Sequence, residues 1–158
     1  MDSFNDMTKS KPVVQLGYSD HGTVVITPQD EDRFALTIQS AVEACAIHLK
    51  REQLEARFRI LLNRLADWLR PRLDAIADAL LTERDGMLLF LVVMKKTRFD
   101  SKLEEDLTSL ELEIRDDPQL EDLPFTTMAL PNVDEADLMS FVNRQILIRL
   151  PEKVSTQG

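Results

Sequence analysis

MLLFLVVM, residues 87–94, is an unbroken run of apolar side chains. Arg84-Asp85-Gly86 precedes it, and Lys95-Lys96-Thr97-Arg98 follows it. An apolar run of this length that opens with a turn is typical of a strand covered on both faces. A helix that crosses a bilayer needs roughly 20 apolar residues, so this run is too short to do so. We therefore expect a buried central strand around which the other elements pack.

The composition is that of a soluble globular protein. Of the 158 residues, 44% are hydrophobic and 30% are charged, which separates the chain from disordered sequences of low hydrophobicity. A chain of this length is expected to form one domain. We predict that this domain spans residues 12–150, between a disordered N-terminal tail at 1–11 and a C-terminal tail at 151–158.

Charge and cysteine content exclude several classes of function. The formal net charge is −9, whereas binding to duplex nucleic acid or to an anionic membrane is driven by Lys and Arg. The single cysteine, Cys45, excludes an intramolecular disulfide and a Cys-rich zinc site. Residues 1–11 contain no apolar run of the kind found in secretory signals. We therefore expect a cytoplasmic protein with neither duplex nucleic acid nor a membrane as partner.

The first elements are predicted to be a hairpin and a helix entry. Two β-rich runs, 13–16 and 23–27, flank a turn that contains Asp-x-Gly at 20–22, a pattern that favours two antiparallel strands. Thr27 is then expected to be the N-cap of a helix, with Pro28 in its first turn.

A long helical region is predicted over residues 30–84. Apolar residues recur there at helical spacing, and the last of these sets is Leu73, Ile76 and Leu80. Pro71 is expected to break or kink this region because proline lacks a backbone donor. A second break is expected near residues 50–53, so the region should hold two or three helices.

The segment after the central strand predicts another helix. Asp100 or Ser101 suits its N-cap, and Asp117-Pro118 suits its end. Its apolar stripe consists of Leu103, Leu107, Leu110 and Ile114. Residues 110–114 also alternate between apolar and polar, so the end of this segment fits an extended conformation as well. The longer stripe favours a helix.

A second strand is predicted at 123–130, and a last helix from Asn132 or Asp134 up to Pro151. The order strand, helix, strand, helix suggests a right-handed βαβ crossover. The predicted fold class is therefore α/β or α+β: a helix-rich single domain with a small sheet. It would consist of an N-terminal hairpin, the helical region 30–84, and then strand, helix, strand, helix.

The sequence indicates no catalytic centre, metal site or cofactor site. Cys45 and His48 would share one face of a helix, but a metal would need two more such ligands and only His21 remains. Cys45 also falls in an apolar stripe, which favours a core position. The phosphate-binding motifs GxGxxG and GxxxxGK[ST] are absent, as are GxSxG and HExxH. No catalytic residue and no cofactor are therefore expected.

The charged residues are segregated along the chain. Between residues 100 and 123 there are ten acidic and two basic residues, whereas between 50 and 72 there are seven basic and three acidic ones. Lys50, Arg57 and Arg64 recur every seven residues and so lie along one stripe of a helix. This stripe could be a solvated face, could pair with the acidic segment in the same chain or in a second copy, or could bind an acidic partner.

One ligand-binding site is a hypothesis at the carboxyl end of the central strand. Ligands of open α/β sheets bind at that end. The candidate residues there are Lys95, Lys96, Arg98 and Asp100.

The leading functional prediction is a non-enzymatic protein-interaction or regulatory module that associates with a protein partner or with itself as a homodimer. Arg, Trp and Phe often anchor interfaces, and the candidates on the long helices are Arg57, Phe58, Arg64 and Trp68. The alternative is a small ligand-binding or enzymatic domain with its site at Lys95–Asp100. In composition the chain also resembles secretion-type chaperones, which are small, acidic and dimeric. Its long helical run before the central strand differs from the alternation usual in that family.

Overall fold

The computed structural model describes residues 14–18, 24–28, 31–47, 49–96 and 100–150, with the backbone alone at 14–18, 24–28, 31, 51 and 52. The fold is a helix-rich α/β or α+β domain with a small mixed sheet, as predicted. In chain order its elements are β1 (Val14–Tyr18), β2 (Val24–Pro28), α1 (Glu31–Cys45), α2 (Arg51–Leu69), a 3-10 turn (Arg70–Arg72), β3 (Ile76–Arg84), β4 (Met87–Met94), α3 (Ser101–Asp116), β5 (Phe125–Leu130), α4 (Glu135–Met139) and β6 (Ile148–Leu150). None of the helices in these ranges is both long enough and apolar enough to cross a bilayer.

The main sheet has the strand order β5-β4-β3-β6, and the predicted central strand, β4, is one of its two inner strands. β3 and β4 form an antiparallel hairpin. Its turn residues Asp85 and Gly86 have φ values of 56° and 79°, a conformation that suits the twist of a two-residue hairpin. β4 and β5 are parallel and are joined through α3, which confirms a strand-helix-strand connection after the central strand, while its right-handed sense stays a prediction.

Both faces of β4 are covered, which explains its unbroken apolar sequence. Leu88, Phe90, Val92 and Met94 belong to the larger core beneath α1, α2 and α3. On the opposite face, Leu89, Leu91 and Val93 form a smaller core with Leu138. The segment after β5 supplies the rest of that cover through the partly buried Phe141, Val142 and Leu147.

The predicted extent of the helical region, 30–84, was wrong over its last part. α2 ends at Leu69, Pro71 lies in the following 3-10 turn, and residues 76–84 form β3. Inner strand β3 buries residues on both of its faces, so its apolar residues do not alternate. The spacing of Leu73, Ile76 and Leu80 therefore imitated a helix.

Near the start of the helical region, the predicted helix entry was wrong, and the predicted break is present but lies a few residues earlier than expected. Thr27 and Pro28 belong to β2 and not to a helix entry, because α1 begins at Glu31. The break expected near 50–53 lies at residues 46–50, where Ala46 adopts a φ of 51°. The antiparallel pairing of β1 with β2 confirms the predicted hairpin, whereas the turn at 20–22 lies outside the described residues.

The elements at the C-terminal end were predicted in part. Asp100 caps α3, which continues through Asp116, so residues 110–114 are helical. The last helix is much shorter than expected: α4 spans only Glu135–Met139, and Ile148–Leu150 instead pairs with β3 as strand β6. The predicted tails, 1–11 and 151–158, lie outside the described residues.

Candidate interaction site

Two of the three residues of the basic stripe, Arg57 and Arg64, are paired with the acidic segment of the same chain. Arg64 Nη1 lies 2.5 Å from Asp117 Oδ2, and Arg57 Nη2 lies 3.5 Å from Asp122 Oδ2. Arg57 also donates a hydrogen bond to the backbone carbonyl of Gln119. These contacts fix α2 against the segment that follows α3, so the charge segregation serves the fold and does not by itself indicate a partner.

The four predicted interface residues all contact their own chain. Phe58 is fully buried, and Trp68 meets the ring of Phe90 edge-on at a centroid distance of 5.9 Å. Arg57 and Arg64 are the paired residues described above. Their role in an interface stays a prediction, and Phe58 in this fold presents no surface to a partner.

The described residues predicted to bind a ligand lie directly after β4 and at the start of α3. Lys95 and Lys96 are exposed, and their backbone carbonyls accept hydrogen bonds from Asn132 at 3.0 Å. Asp100 Oδ1 accepts from the backbone N–H groups of Lys102 and Leu103, so this carboxylate caps α3. Arg98 lies outside the described residues, and a ligand at this end of the sheet stays a prediction.

Cys45 is placed as a core residue. It is buried, and burial together with the negative charge of Glu83 raises the pKa of its thiol to about 11. Because α1 ends at Cys45, the helical spacing proposed for Cys45 and His48 does not apply. His21 and His48 themselves lie outside the described residues. Within the described ranges, no three His, Cys, Asp or Glu residues converge as metal ligands.

A small apolar groove lies between α1 and α2. Its volume is about 260 Å³, slightly below the usual size of ligand pockets. The lining consists of Ala35, Ile38, Gln39, Val42, Leu49, Leu54 and Glu55. Only two of these side chains are polar, so the groove offers few groups to orient a ligand.

Strand β5 forms one edge of the main sheet, and its outward-facing groups follow from its pairing. Leu88 lies opposite Phe125 and donates its backbone N–H to the carbonyl of Pro124 at 2.8 Å. In a parallel ladder the residues that face a neighbouring strand alternate with those that face away. The even-numbered residues of β5 therefore direct their backbone groups to β4. The odd-numbered residues direct theirs outward: Phe125, Thr127 and Ala129.

The first half of this edge is closed by two side chains of α3. Glu111 Oε1 accepts the backbone N–H of Thr127 at 2.8 Å, and Arg115 Nε donates to the carbonyl of Phe125 at 3.0 Å. The two side chains also contact each other, with Arg115 Nη2 3.5 Å from Glu111 Oε2. We call this pair the edge clamp. Such cover is a known means of protecting an edge strand from pairing with other chains.

The second half of the edge has no such cover among the described residues. The carbonyl of Thr127 and the N–H and carbonyl of Ala129 face outward, and no described residue forms a hydrogen bond with them. At the opposite edge of the sheet, strand β6 has only three residues and also contacts β1. That edge is therefore short and partly covered. We call the groups at Thr127 and Ala129 the open edge.

Sequence reasoning did not find this site. The strand at 123–130 was predicted, but its place at the edge depends on the pairing of β6 with β3, which no local pattern shows. In the sequence, Glu111 and Arg115 were only two of the charged residues counted in the acidic segment 100–123. Their spacing of four residues, close before the edge strand, was the available signal.

No protein-family model, no curated protein and no solved structure matches this chain.

Proposed function

We propose that this protein is a non-enzymatic interaction module that binds an extended segment of a protein partner by strand addition at β5. The open edge carries this proposal, because unpaired backbone groups on an edge strand are a template for another strand. Peptide recognition by strand addition draws its affinity from such main-chain hydrogen bonds.

The strength of this interaction is limited by the length of the open edge. A hydrogen bond contributes about 0.5–1.5 kcal/mol net, so the open groups at Thr127 and Ala129 would provide about 1.5–4.5 kcal/mol. A dissociation constant of 1 mM corresponds to about 4.1 kcal/mol. A useful affinity therefore requires side-chain contacts beside the edge. Met128 and Leu130 are only partly buried on the smaller core and are available for such contacts.

The charged groups of the described residues support a non-enzymatic role. Those with shifted pKa values serve the fold: Cys45 packs in the core, and Asp78 lies 3.1 Å from Arg149. No contact of the described residues favours a ligand site at Lys95–Asp100 or a chaperone role, and both stay predictions. Homodimer formation is the variant of our proposal in which a second copy supplies the added strand.

The Ala129→Pro variant tests the proposal. Proline at this position removes the outward N–H and no hydrogen bond to β4, which makes it tolerable on an edge strand. Ala129→Ser keeps the N–H at nearly the same size and is the matched control. Wild-type protein and both variants are immobilised, and the proteins they retain from a cell extract are compared by quantitative mass spectrometry.

We expect a set of proteins that wild type and Ala129→Ser retain and that Ala129→Pro loses. Thermal unfolding shows whether all three chains are folded. Retention of the same proteins in the same amounts by folded Ala129→Pro would contradict strand addition at β5. Light scattering over a range of protein and salt concentrations tests the homodimer variant, which a strict monomer would exclude.

A further inference from the structure

We propose that the segment added at the open edge is basic, with a Lys or Arg side chain held by Glu104 of α3; this rests on the strand-addition function proposed above. α3 joins the end of β4 to the start of the parallel strand β5. It therefore runs in the direction opposite to β5, and its side chains can be placed along the edge by register.

The edge clamp sets this register. Arg115 reaches Phe125 and Glu111 reaches Thr127, so four residues of helix match two residues of strand. The two spacings agree, because four helical residues rise about 6 Å and two strand residues about 6.6 Å. On the same side of α3 as Glu111, Thr108 lies about 4.5 Å and Glu104 about 10.5 Å further along the helix, which places them beside residues 128–129 and just beyond Leu130. Both side chains are exposed.

The charge beside the open edge is negative. Glu104 and Glu105 are exposed and form no ion pair among the described residues, whereas the nearby Lys102 is bound to Asp106 at 3.2 Å. The clamped half of the edge carries one paired carboxylate and one paired guanidinium. The exposed Lys95 and Lys96 follow β4, and their backbone carbonyls bind Asn132 just past the end of β5, so the negative charge of Glu104 lies on the α3 side of the open edge and the lysines lie beyond its end. A basic side chain is thus the complementary neighbour for the open half.

A second copy of this chain is a poorer occupant. Pairing two β5 edges would place the two α3 helices side by side, and each α3 carries six acidic and two basic residues. Like charges facing each other across an interface disfavour association. The same repulsion is absent for an extended basic segment from another protein.

Three synthetic peptides test the inference on the full-length protein. All alternate Thr and Val over nine residues, with Lys at both ends in the first, Glu at both ends in the second, and Lys ends with a central Pro in the third. Binding up to millimolar peptide is followed through the backbone amide signals of Thr127 and Ala129 in ¹H–¹⁵N NMR spectra. We expect the Lys peptide to shift the Ala129 signal, with an affinity that falls as salt is added.

Glu104→Lys should weaken the Lys peptide about tenfold and bring the Glu peptide to comparable or tighter binding. Glu113→Lys makes the same charge change on an exposed residue on the opposite side of α3 and should leave both affinities unchanged. Thermal unfolding confirms that the variants fold, and the wild-type preference between the Lys and Glu peptides tests the inference without any variant.

Equal binding of the Lys and Glu peptides at Ala129, lost in the Pro peptide, would overturn the basic partner and leave strand addition intact. No shift at Ala129 with any peptide, together with unchanged retention by Ala129→Pro, would overturn both proposals. A free protein that is dimeric in solution, with the Ala129 amide protected from hydrogen exchange, would assign the open edge to a second copy and overturn the basic partner.

Discussion

The carboxylate of Glu111 accepts hydrogen bonds from both the backbone N–H and the Oγ1 hydroxyl of Thr127, each at 2.8 Å. A helix side chain thereby takes the place of a neighbouring strand at the edge of β5. Arg115 completes this cover one turn later by donating to the carbonyl of Phe125. The sheet edge is thus divided into a clamped half and an open half by two residues of a single helix.

Glu111→Ala should extend the open edge to the N–H of Thr127. Loss of hydrogen bonds to a charged group costs about 1.5–3 kcal/mol each when buried, and this carboxylate is partly exposed, so we expect about 1–2 kcal/mol of lost stability. We also expect more self-association, because the longer edge is less protected. Urea unfolding and light scattering measure the two effects.

Glu111→Gln is the matched control, because its amide oxygen still accepts the N–H of Thr127. It should retain most of the stability and should associate no more than wild type does. If Glu111→Ala leaves both stability and association unchanged, the edge clamp does not protect β5.

The central strand and its parallel partner were predictable, because apolar runs closed by turns or prolines report local burial directly. The hairpin of β3 with β4 was not predicted. β3 packs between β4 and β6 and buries residues on both faces. Its apolar residues therefore do not alternate, and their spacing happens to match that of one face of a helix. The turn residues Asp85-Gly86 were recognised as a turn, but not as the connection between two antiparallel strands.

The candidate site depended on information that is not local. A residue such as Ala129 has no chemical signature, and its backbone N–H becomes available only because β5 is the last strand of the sheet. The charged stripes were visible in the sequence, and pairing within the chain was one of the uses considered. The packing of α2 against residues 117–122 determines that Arg57 and Arg64 pair within the chain. This packing is not visible in the sequence.

Asp78 gives the protein a pH dependence whose sign follows from its burial. Burial raises the pKa of this carboxyl above 3.8, although the Arg149 guanidinium and the N–H of Ala79 act to lower it and the charge of Glu135 raises it further. Burial also disfavours the charged form of Arg149, but the two carboxylates it contacts outweigh this and raise the pKa of Arg149. Arg149 contacts two carboxylates, those of Asp78 and Glu135, whereas Asp78 contacts only one basic group among the described residues. The pKa of Asp78 is therefore lowered less by ion pairing than it is raised by burial.

Between 3.8 and the raised pKa, the folded state binds more protons at Asp78 than the unfolded state does. The free energy of unfolding contributed by Asp78 therefore falls as the pH rises through this window and is highest below 3.8. We expect wild type to lose stability relative to Asp78→Asn as the pH rises towards neutrality, with exposed Asp74→Asn as a control for removing one charge. Urea unfolding at stepped pH measures the difference, and the opposite slope would show that the ion pair with Arg149 outweighs burial.

Cys45 should react slowly with thiol reagents in the folded protein. With a pKa raised to about 11, its thiolate fraction at pH 8 is about a hundredfold lower than that of an ordinary thiol with a pKa near 9. Burial slows the reaction further. Alkylation by iodoacetamide, followed by mass spectrometry, should be slow in buffer and should reach the rate of a model thiol in urea. Rapid labelling of the folded protein would show that Cys45 is not held in the core.

The contact between Thr82 and Asn143 should determine how firmly the smaller core is covered. Thr82 is fully buried, its Oγ1 accepts the backbone N–H of Asn143 at 2.9 Å, and the same hydroxyl donates to the carbonyl of Asn143 at 3.3 Å. Thr82→Val preserves the shape and leaves both backbone groups without their partner, so we expect a loss of about 1–3 kcal/mol. Thr82→Ser keeps the hydroxyl and removes only a methyl group, at a cost of about 1 kcal/mol.

Hydrogen exchange measures this difference and should be faster at Leu138–Asn143 in Thr82→Val than in Thr82→Ser. If the valine variant is the more stable of the two, the segment after β5 is held by its apolar contacts alone.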